Sequence, residues 1–284
     1  MGVDGDIANG GKIDPASGTS AVVFKDSPQG PFWSNPLKKI YTMPSANGEF
    51  KGYILTKTHC GGYCNQCPPA KYVENHQTFS SRCFEGDRIT KDDNGERIVV
   101  RGSYRKDLVD RAVHLIRDPF DNIVSRFHLA YKRNVKNNGT AWLAMYPQSK
   151  KGFRAFCKDL GERFYKQEKA SRFHNEVFED VKDVPCRADF FRYIQWHDLA
   201  FTTTWDLGLP TLILHYENYT ESFDQTTELL FDFIEQDIIN DPPTFVTGKT
   251  YREYFTADEV EAVHTMFSKL ALEKTWYHTK HYFE

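Results

Sequence analysis

Lys57-Thr58-His59, Arg117 with Ser125, and Tyr216 each follow a short apolar run in this chain of 284 residues. Side chains two apart on an extended segment share a face, so Lys57 and His59 can point into one crevice. There a histidine can take a proton from an acceptor hydroxyl while a lysine stabilises an anionic leaving oxygen. Arg117 directly precedes Asp118-Pro119, a strong helix start, where a guanidinium, backbone donors and the helix dipole can converge on a phosphate. Asp118, Asn122 and Ser125 lie at i, i+4 and i+7, so Ser125 can add a hydroxyl to the same anion. Tyr216, in His215-Tyr216-Glu217, suits contact with a base or a sugar. Together these types suit transfer of an anionic group. Singly, each has a bland reading, as strand-end polar residues, a helix start or a core tyrosine.

Three buried strands must position these residues. They are expected at Gly52-Tyr53-Ile54-Leu55-Thr56, at 112–116 and at 211–216, each a compact apolar run. Asp118 as N-cap and Pro119 at the first position predict a helix running to about Asn137. Its apolar residues Phe120, Ile123, Val124, Phe127 and Tyr131 form one face. Further helices are expected near 151–170, 187–204, 222–237 and 257–274, the last opened by the capping-box pair Thr256 and Glu259. Short apolar strands alternating with helices imply an α/β fold with a parallel sheet, and ligands bind such sheets at the carboxyl ends of the strands. Residues 1–50 read as mostly irregular with one strand at 21–24. Residues 51–284 read as one domain carrying a long irregular insertion at about 60–102, with a polar turn at 91–95.

Composition bounds the function. Lys and Arg number 36 against 39 Asp and Glu, a net charge of −3 that argues against nucleic-acid coating. With 22 Phe, 15 Tyr and 5 Trp the chain can bury a sizeable core. No apolar run reaches the ~20 residues of a membrane span. The first 20 residues carry no targeting signal, and Asp6 stands where a myristoylation motif wants Ser or Thr. As given, the chain reads as soluble, or as the lumenal part of a longer one.

Six cysteines, Cys60, Cys64, Cys67, Cys83, Cys157 and Cys186, allow three disulfides. With two glycosylation sequons, at Asn138 and Asn218, they lean towards an oxidising secretory compartment. The rival is zinc, for which His59, Cys60, Cys64, Cys67 and Cys83 offer ligands. Cys64 and Cys67 have finger-like spacing, but Cys83 lacks a matching partner pair, so disulfides are preferred and no metal is expected.

Arg117-Asp118-Pro119 through Ser125 resembles the 3′-phosphate motif of sulfotransferases that use PAPS, 3′-phosphoadenosine 5′-phosphosulfate. Lys57-Thr58-His59 resembles the Lys-Thr-His segment of the same family, and Leu214-His215-Tyr216-Glu217 its later Tyr-Glu strand end. Tyr254 to Glu259 and Trp276 to Phe283 resemble its C-terminal helix. The likeness covers roughly residues 52–284 and is nearest to eukaryotic relatives whose Lys-Thr-His runs into a Cys-Gly-Gly-x-Cys-x-x-Cys insertion. It implies a three-layer fold like that of P-loop NTPases, a central parallel sheet flanked by helices. It also implies transfer of a sulfuryl group from PAPS to a hydroxyl or amine on a glycan or small molecule, in the Golgi lumen. His59 would be the base and Lys57 would stabilise the bridging oxygen. Arg117 and Ser125 would hold the 3′-phosphate, Tyr216 would line the adenine pocket, and Lys249 and Arg252 would add cations.

The family's first βα unit, with its 5′-phosphosulfate loop, is where the chain departs. Pro15-Ala16-Ser17-Gly18-Thr19-Ser20 matches the loop's letters, but no buried strand precedes it and no helix follows. The alternative is a chain without that unit, a non-catalytic or truncated binding module. A zinc-binding interaction domain is a further alternative. A nucleotide kinase is disfavoured because no Gly-x-x-x-x-Gly-Lys-Ser/Thr is present. Tyr53, Tyr63, Phe79 and Phe127 can line an acceptor pocket or the core. Trp196-His197 reads as a packed Trp beside a surface or capping His.

Overall fold

The computed structural model describes residues 20–22, 32–35, 40–42, 58, 60, 72–91, 94, 96–103, 106–171, 175–238 and 248–284. Three short antiparallel strands come first: β1 (Ser20–Val22), β2 (Phe32–Asn35) and β3 (Ile40–Thr42), ordered β1-β2-β3. One strand was expected here. β2 and β3 are three or four residues long and are held by pairing to a neighbour, which local apolar periodicity does not report.

Within the segment read as an irregular insertion, the described residues form one helix and two strands. Helix α1 (His76–Arg82) starts at Asn75, whose side chain accepts the Thr78 N–H at 2.9 Å. β4 (Glu85–Lys91) and β5 (Arg97–Ser103) then pair as an antiparallel hairpin, Glu85 opposite Ser103 and Lys91 opposite Arg97. Of the polar stretch 91–95, Lys91 closes β4 and Asn94 lies in a turn. β4 carries three charged residues, Glu85, Asp87 and Arg88, before its closing Lys91, so no hydrophobic period announced it.

β6 (Ala112–Ile116) and β7 (Thr211–His215) form a parallel pair in the register Ala112↔Thr211 to Ile116↔His215. Between them run α2 (Pro119–Lys136), α3 (Thr140–Met145), α4 (Lys150–Ser171), α5 (Asn175–Val181) and α6 (Arg187–Asp206). After β7 come α7 (Asn218–Glu221), α8 (Phe223–Phe233), α9 (Ala257–Leu270) and α10 (Glu273–Thr279), with a closing 3-10 turn at Lys280–Phe283. The described chain is thus mostly helical around a small parallel pair, an α/β arrangement. The expected first strand at 52–56 lies outside the described residues.

α2 forms where its sequence dictates. The Asp118 carboxylate accepts the N–H groups of Phe120 (2.7 Å) and Asp121 (3.2 Å), and Pro119 fills the first position. Phe120, Ile123, Val124 and Phe127 are fully buried, while Tyr131 is only partly so. They meet α4 and α6 in one aromatic core. Phe120 meets Phe190 and Phe255 edge-on, and Tyr72 stacks on Phe164 at 4.2 Å. The capping box at α9 is complete in both directions.

Among the described residues two disulfides join distant segments, Cys60–Cys83 and Cys157–Cys186. Cys60 and Cys83 are therefore bonded to each other and are not zinc ligands here. Cys64 and Cys67 lie outside the described residues. Both sequon asparagines, Asn138 and Asn218, are exposed. Among the described residues no helix is long and apolar enough to cross a membrane.

Candidate functional site at the carboxyl edge of the parallel pair

β6 and β7 run side by side, so the residues that follow them emerge together. The Tyr216 N–H donates to the Ile116 carbonyl at 2.7 Å and extends the ladder by one step. The Arg117 guanidinium then lies over the Tyr216 ring, 4.7 Å from its centroid. Arg117 Nε is buried and has no hydrogen-bond partner among the described residues. A half-buried guanidinium on an aromatic face, with a buried Nε donor, is suited to an anion attached to a planar ring.

The edge is braced from below and from the C-terminus. The Tyr193 hydroxyl of α6 donates to the Arg117 carbonyl at 2.7 Å. Glu217 joins both strand ends: its Oε1 accepts the Asp118 N–H at 2.9 Å, and its Oε2 accepts the Tyr282 hydroxyl at 2.6 Å. Tyr282 also meets His215 Nδ1 at 2.8 Å. Arg252 donates to the Tyr282 carbonyl at 2.9 Å and lies 4.1 Å over the Phe120 ring. Arg252 therefore holds the closing turn against the start of α2. Asp121, one turn into α2, accepts the Tyr251 N–H at 2.5 Å and ties down the segment that carries Lys249.

Electrostatics at this edge are mixed. Burial, and then the neighbouring Asp121, push the Asp118 carboxyl up to about 6, against the backbone N–H bonds and Arg252 that favour its charge. Burial also raises Asp121, against the Tyr251 N–H and Arg117. Burial and the bond to Glu217 raise the Tyr282 phenol far above its ordinary value. The helix dipole was expected to offer backbone donors to a phosphate. In the structure Pro119 has none, Asp118 takes those of Phe120 and Asp121, and the Asp118 carbonyl takes that of Asn122. An anion here is left with side-chain donors.

Arg117 and Tyr216, expected to share a site, are brought into contact. Ser125 sits half-buried on the second turn of α2. Lys249 is exposed and lies close enough to His128 that it, with Lys132, helps burial lower that imidazole's pKa. His128 is less than one turn from Ser125. Lys57 and His59 lie outside the described residues, as do Ser17, Gly18 and Thr19. The residue between Lys57 and His59 is described: the Thr58 hydroxyl accepts the Cys60 N–H at 3.0 Å. Cys60, in a left-handed conformation (φ 46°), is anchored by Cys83 beside Phe79, with Leu199 and Trp196 of α6. Trp196 in turn packs edge-on against His114 of β6, at 5.4 Å.

Several residues had no sequence signal. Glu217 stood inside a quoted motif, but its bridging role depends on two partners distant in sequence. His197 was read as a surface or capping residue and is instead buried against His114, because α6 is buried on most of its circumference, polar residues included. Phe79 and Phe127 are fully buried core, not pocket lining; Tyr53 and Tyr63 lie outside the described residues.

An open cleft of about 450 Å³ lies around Cys157–Cys186 and is lined by none of the predicted catalytic or nucleotide-binding residues. Its cations are engaged: Arg154 by Glu259, Lys158 by Glu162, Lys182 by Glu179, and Arg187 by the Lys182 and Gly161 carbonyls. In comparisons with family models, curated proteins and solved structures, no match to this chain was found.

Proposed function

We propose that this chain is a sulfotransferase of the secretory pathway, in the Golgi lumen, moving a sulfuryl group from PAPS to a hydroxyl or amine of a glycan or small molecule. The observation that carries the reading is the contact between Arg117 and Tyr216. Two resembling motifs far apart in the chain meet at the carboxyl edge of a parallel pair, where nucleotides bind α/β sheets. The residues fit the nucleotide. Arg117, whose buried Nε has no partner among the described residues, and Ser125 would take the 3′-phosphate; Tyr216 would face the adenine; Lys249 would add a cation. Arg252 is engaged by Tyr282 and Phe120 and acts on the site through them.

In this reading the bond between sulfur and the bridging phosphate oxygen breaks. A bond from the acceptor oxygen or nitrogen to sulfur forms, the acceptor proton passes to His59, and Lys57 stabilises the phosphate oxygen that leaves. Two disulfides and two exposed sequon asparagines are compatible with a lumenal compartment.

The test is calorimetric titration of the desulfated product, 3′-phosphoadenosine 5′-phosphate, which needs no acceptor. Saturable binding that Arg117→Ala weakens by about tenfold or more supports the reading, since a charge-assisted phosphate contact contributes about 1.5–3 kcal/mol. A folded chain that ignores the nucleotide removes it. With an acceptor in hand, His59→Ala must abolish turnover while leaving nucleotide affinity unchanged.

A further inference from the structure

Between Asp121 and Asp159 the chain has no acidic residue. Those 37 intervening positions carry eight Lys and Arg, in a chain whose net charge is −3. The stretch covers nearly all of α2, all of α3 and the start of α4. Four of the eight cations are balanced from elsewhere in the fold: Arg126 by Asp189, Lys150 by Glu253, Arg154 by Glu259 and Lys158 by Glu162. The other four, Lys132, Arg133, Lys136 and Lys151, are exposed, and no carboxylate among the described residues pairs with them.

Three of these four lie on one helix face. Ser125, Leu129, Lys132 and Lys136 fall at i, i+4, i+7 and i+11 of α2 and form a stripe, with Arg133 beside it. From Ser125 to Lys136 the stripe is about 16 Å long at 1.5 Å per residue. Lys249, exposed on another segment, lies near enough to His128 of α2 to help lower its pKa, as Lys132 does. Leu129 and Val135 of the same helix are exposed, as is Met145 at the end of α3.

We infer that this face of α2 and α3 is a docking surface for an extended anionic polysaccharide. Charge complementarity names an anionic partner, and a line of like charges fits a polymer better than a single small anion. The exposed apolar residues are aliphatic, whereas binding of nucleic-acid strands uses exposed aromatic platforms. Of the aromatics in this region, Tyr131 meets Trp142 edge-on and Trp142 packs against the core. Anionic lipid is concentrated on cytoplasmic leaflets, while the two disulfides fit an oxidising compartment. Calling that polysaccharide the acceptor rests on the sulfotransferase reading; the docking surface itself does not.

The test uses a fluorescent heparin octasaccharide as probe, at several salt concentrations, with the full chain. The variant Lys132→Ala, Arg133→Ala, Lys136→Ala removes three exposed cations. The control Lys158→Ala, Lys182→Ala, Lys269→Ala removes the same charge at sites already paired with Glu162, Glu179 and Asp180. The expected result is at least about tenfold weaker octasaccharide binding in the first variant and a shallower salt dependence, as released counterions require. The control should lose less than about threefold. Equal losses in both variants, or no loss in the first, overturn the proposal. So does tighter binding of phosphatidylserine vesicles or single-stranded DNA than of the octasaccharide at matched salt. Titration of 3′-phosphoadenosine 5′-phosphate runs in parallel. If the nucleotide fails to bind while the variant still loses the octasaccharide, the transferase reading falls and the docking surface stands.

Discussion

His114 Nε2 and His197 Nδ1 lie 2.7 Å apart in the core, joining β6 to α6. One ring must donate and the other accept, so the contact exists only while at least one of the facing nitrogens is unprotonated. Burial, then the electrostatic presence of His278, Lys274 and His215, lowers His114 to about 3. Burial and His114 lower His197 well below its ordinary value. The pair sits behind the strand whose end carries Arg117, so its protonation state bears on the edge as well as on stability.

Acid should therefore unfold the protein early. A histidine lowered in the fold keeps its full contribution above its ordinary value of 6.5 and loses it as pH falls towards the folded value. His114, His197, His215, His278 and His128 all shift this way. Asp118, Asp121 and Asp198 shift upward and oppose the loss over the lower part of the window. Unfolding free energy in urea should fall steadily from pH 6.5 to pH 4, chiefly through the buried His114 and His197 at up to about 1.4 kcal/mol per unit each, with solvent screening making the shares of His128, His215 and His278 smaller. His114→Leu should flatten that slope whatever it does to the midpoint at pH 7; an unchanged slope would show that the pair does not drive it.

Asp118 has two opposing effects that substitution separates. Asp118→Ala removes the N-cap of α2 and should cost about 1 kcal/mol in denaturant unfolding at pH 7. Asp118→Asn keeps a capping oxygen without burying a charge, so it should be at least as stable as the wild type at pH 7. Its advantage should fade as pH falls from about 6 towards 3.8, where the native carboxyl is protonated in the fold.

Tyr282→Phe removes the hydroxyl that bonds Glu217 and meets His215. The expected loss is about 1–2 kcal/mol. Because Glu217 also holds the Asp118 N–H, nucleotide affinity should fall as well, several-fold, in the calorimetric assay used for Arg117→Ala. Lost stability with intact affinity would confine Tyr282 to holding the closing turn.

Cys157→Ser with Cys186→Ser opens a bridge spanning 29 residues between α4 and the start of α6. Chain-entropy arguments put the cost at about 3.5 kcal/mol, read as a lower thermal midpoint. The double variant keeps Cys60–Cys83, which reducing agent also opens, so it should be no less stable than the fully reduced wild type.

What the sequence determined alone was local. Asp118-Pro119 starts a helix because a carboxylate can reach the orphan N–H groups and proline needs none; the 3, 4 and 7 spacing from Phe120 buries one face. The Thr256 and Glu259 pair closes its own capping box, and the two short apolar runs at 112–116 and 211–216 are strands wherever they pair. The four longer helices after α2 were legible for the same reason, their periods needing no partner. The hairpin at 85–103 and the strands β2 and β3 were not, because charged or very short strands owe their form to cross-strand bonds. Tertiary structure alone decided that Arg117 lies on Tyr216, that Glu217 holds Asp118 and Tyr282, that His197 is buried, and which cysteines pair. Each of those depends on segments tens of residues apart being packed together, and packing of the apolar faces, not any local pattern, brings them there.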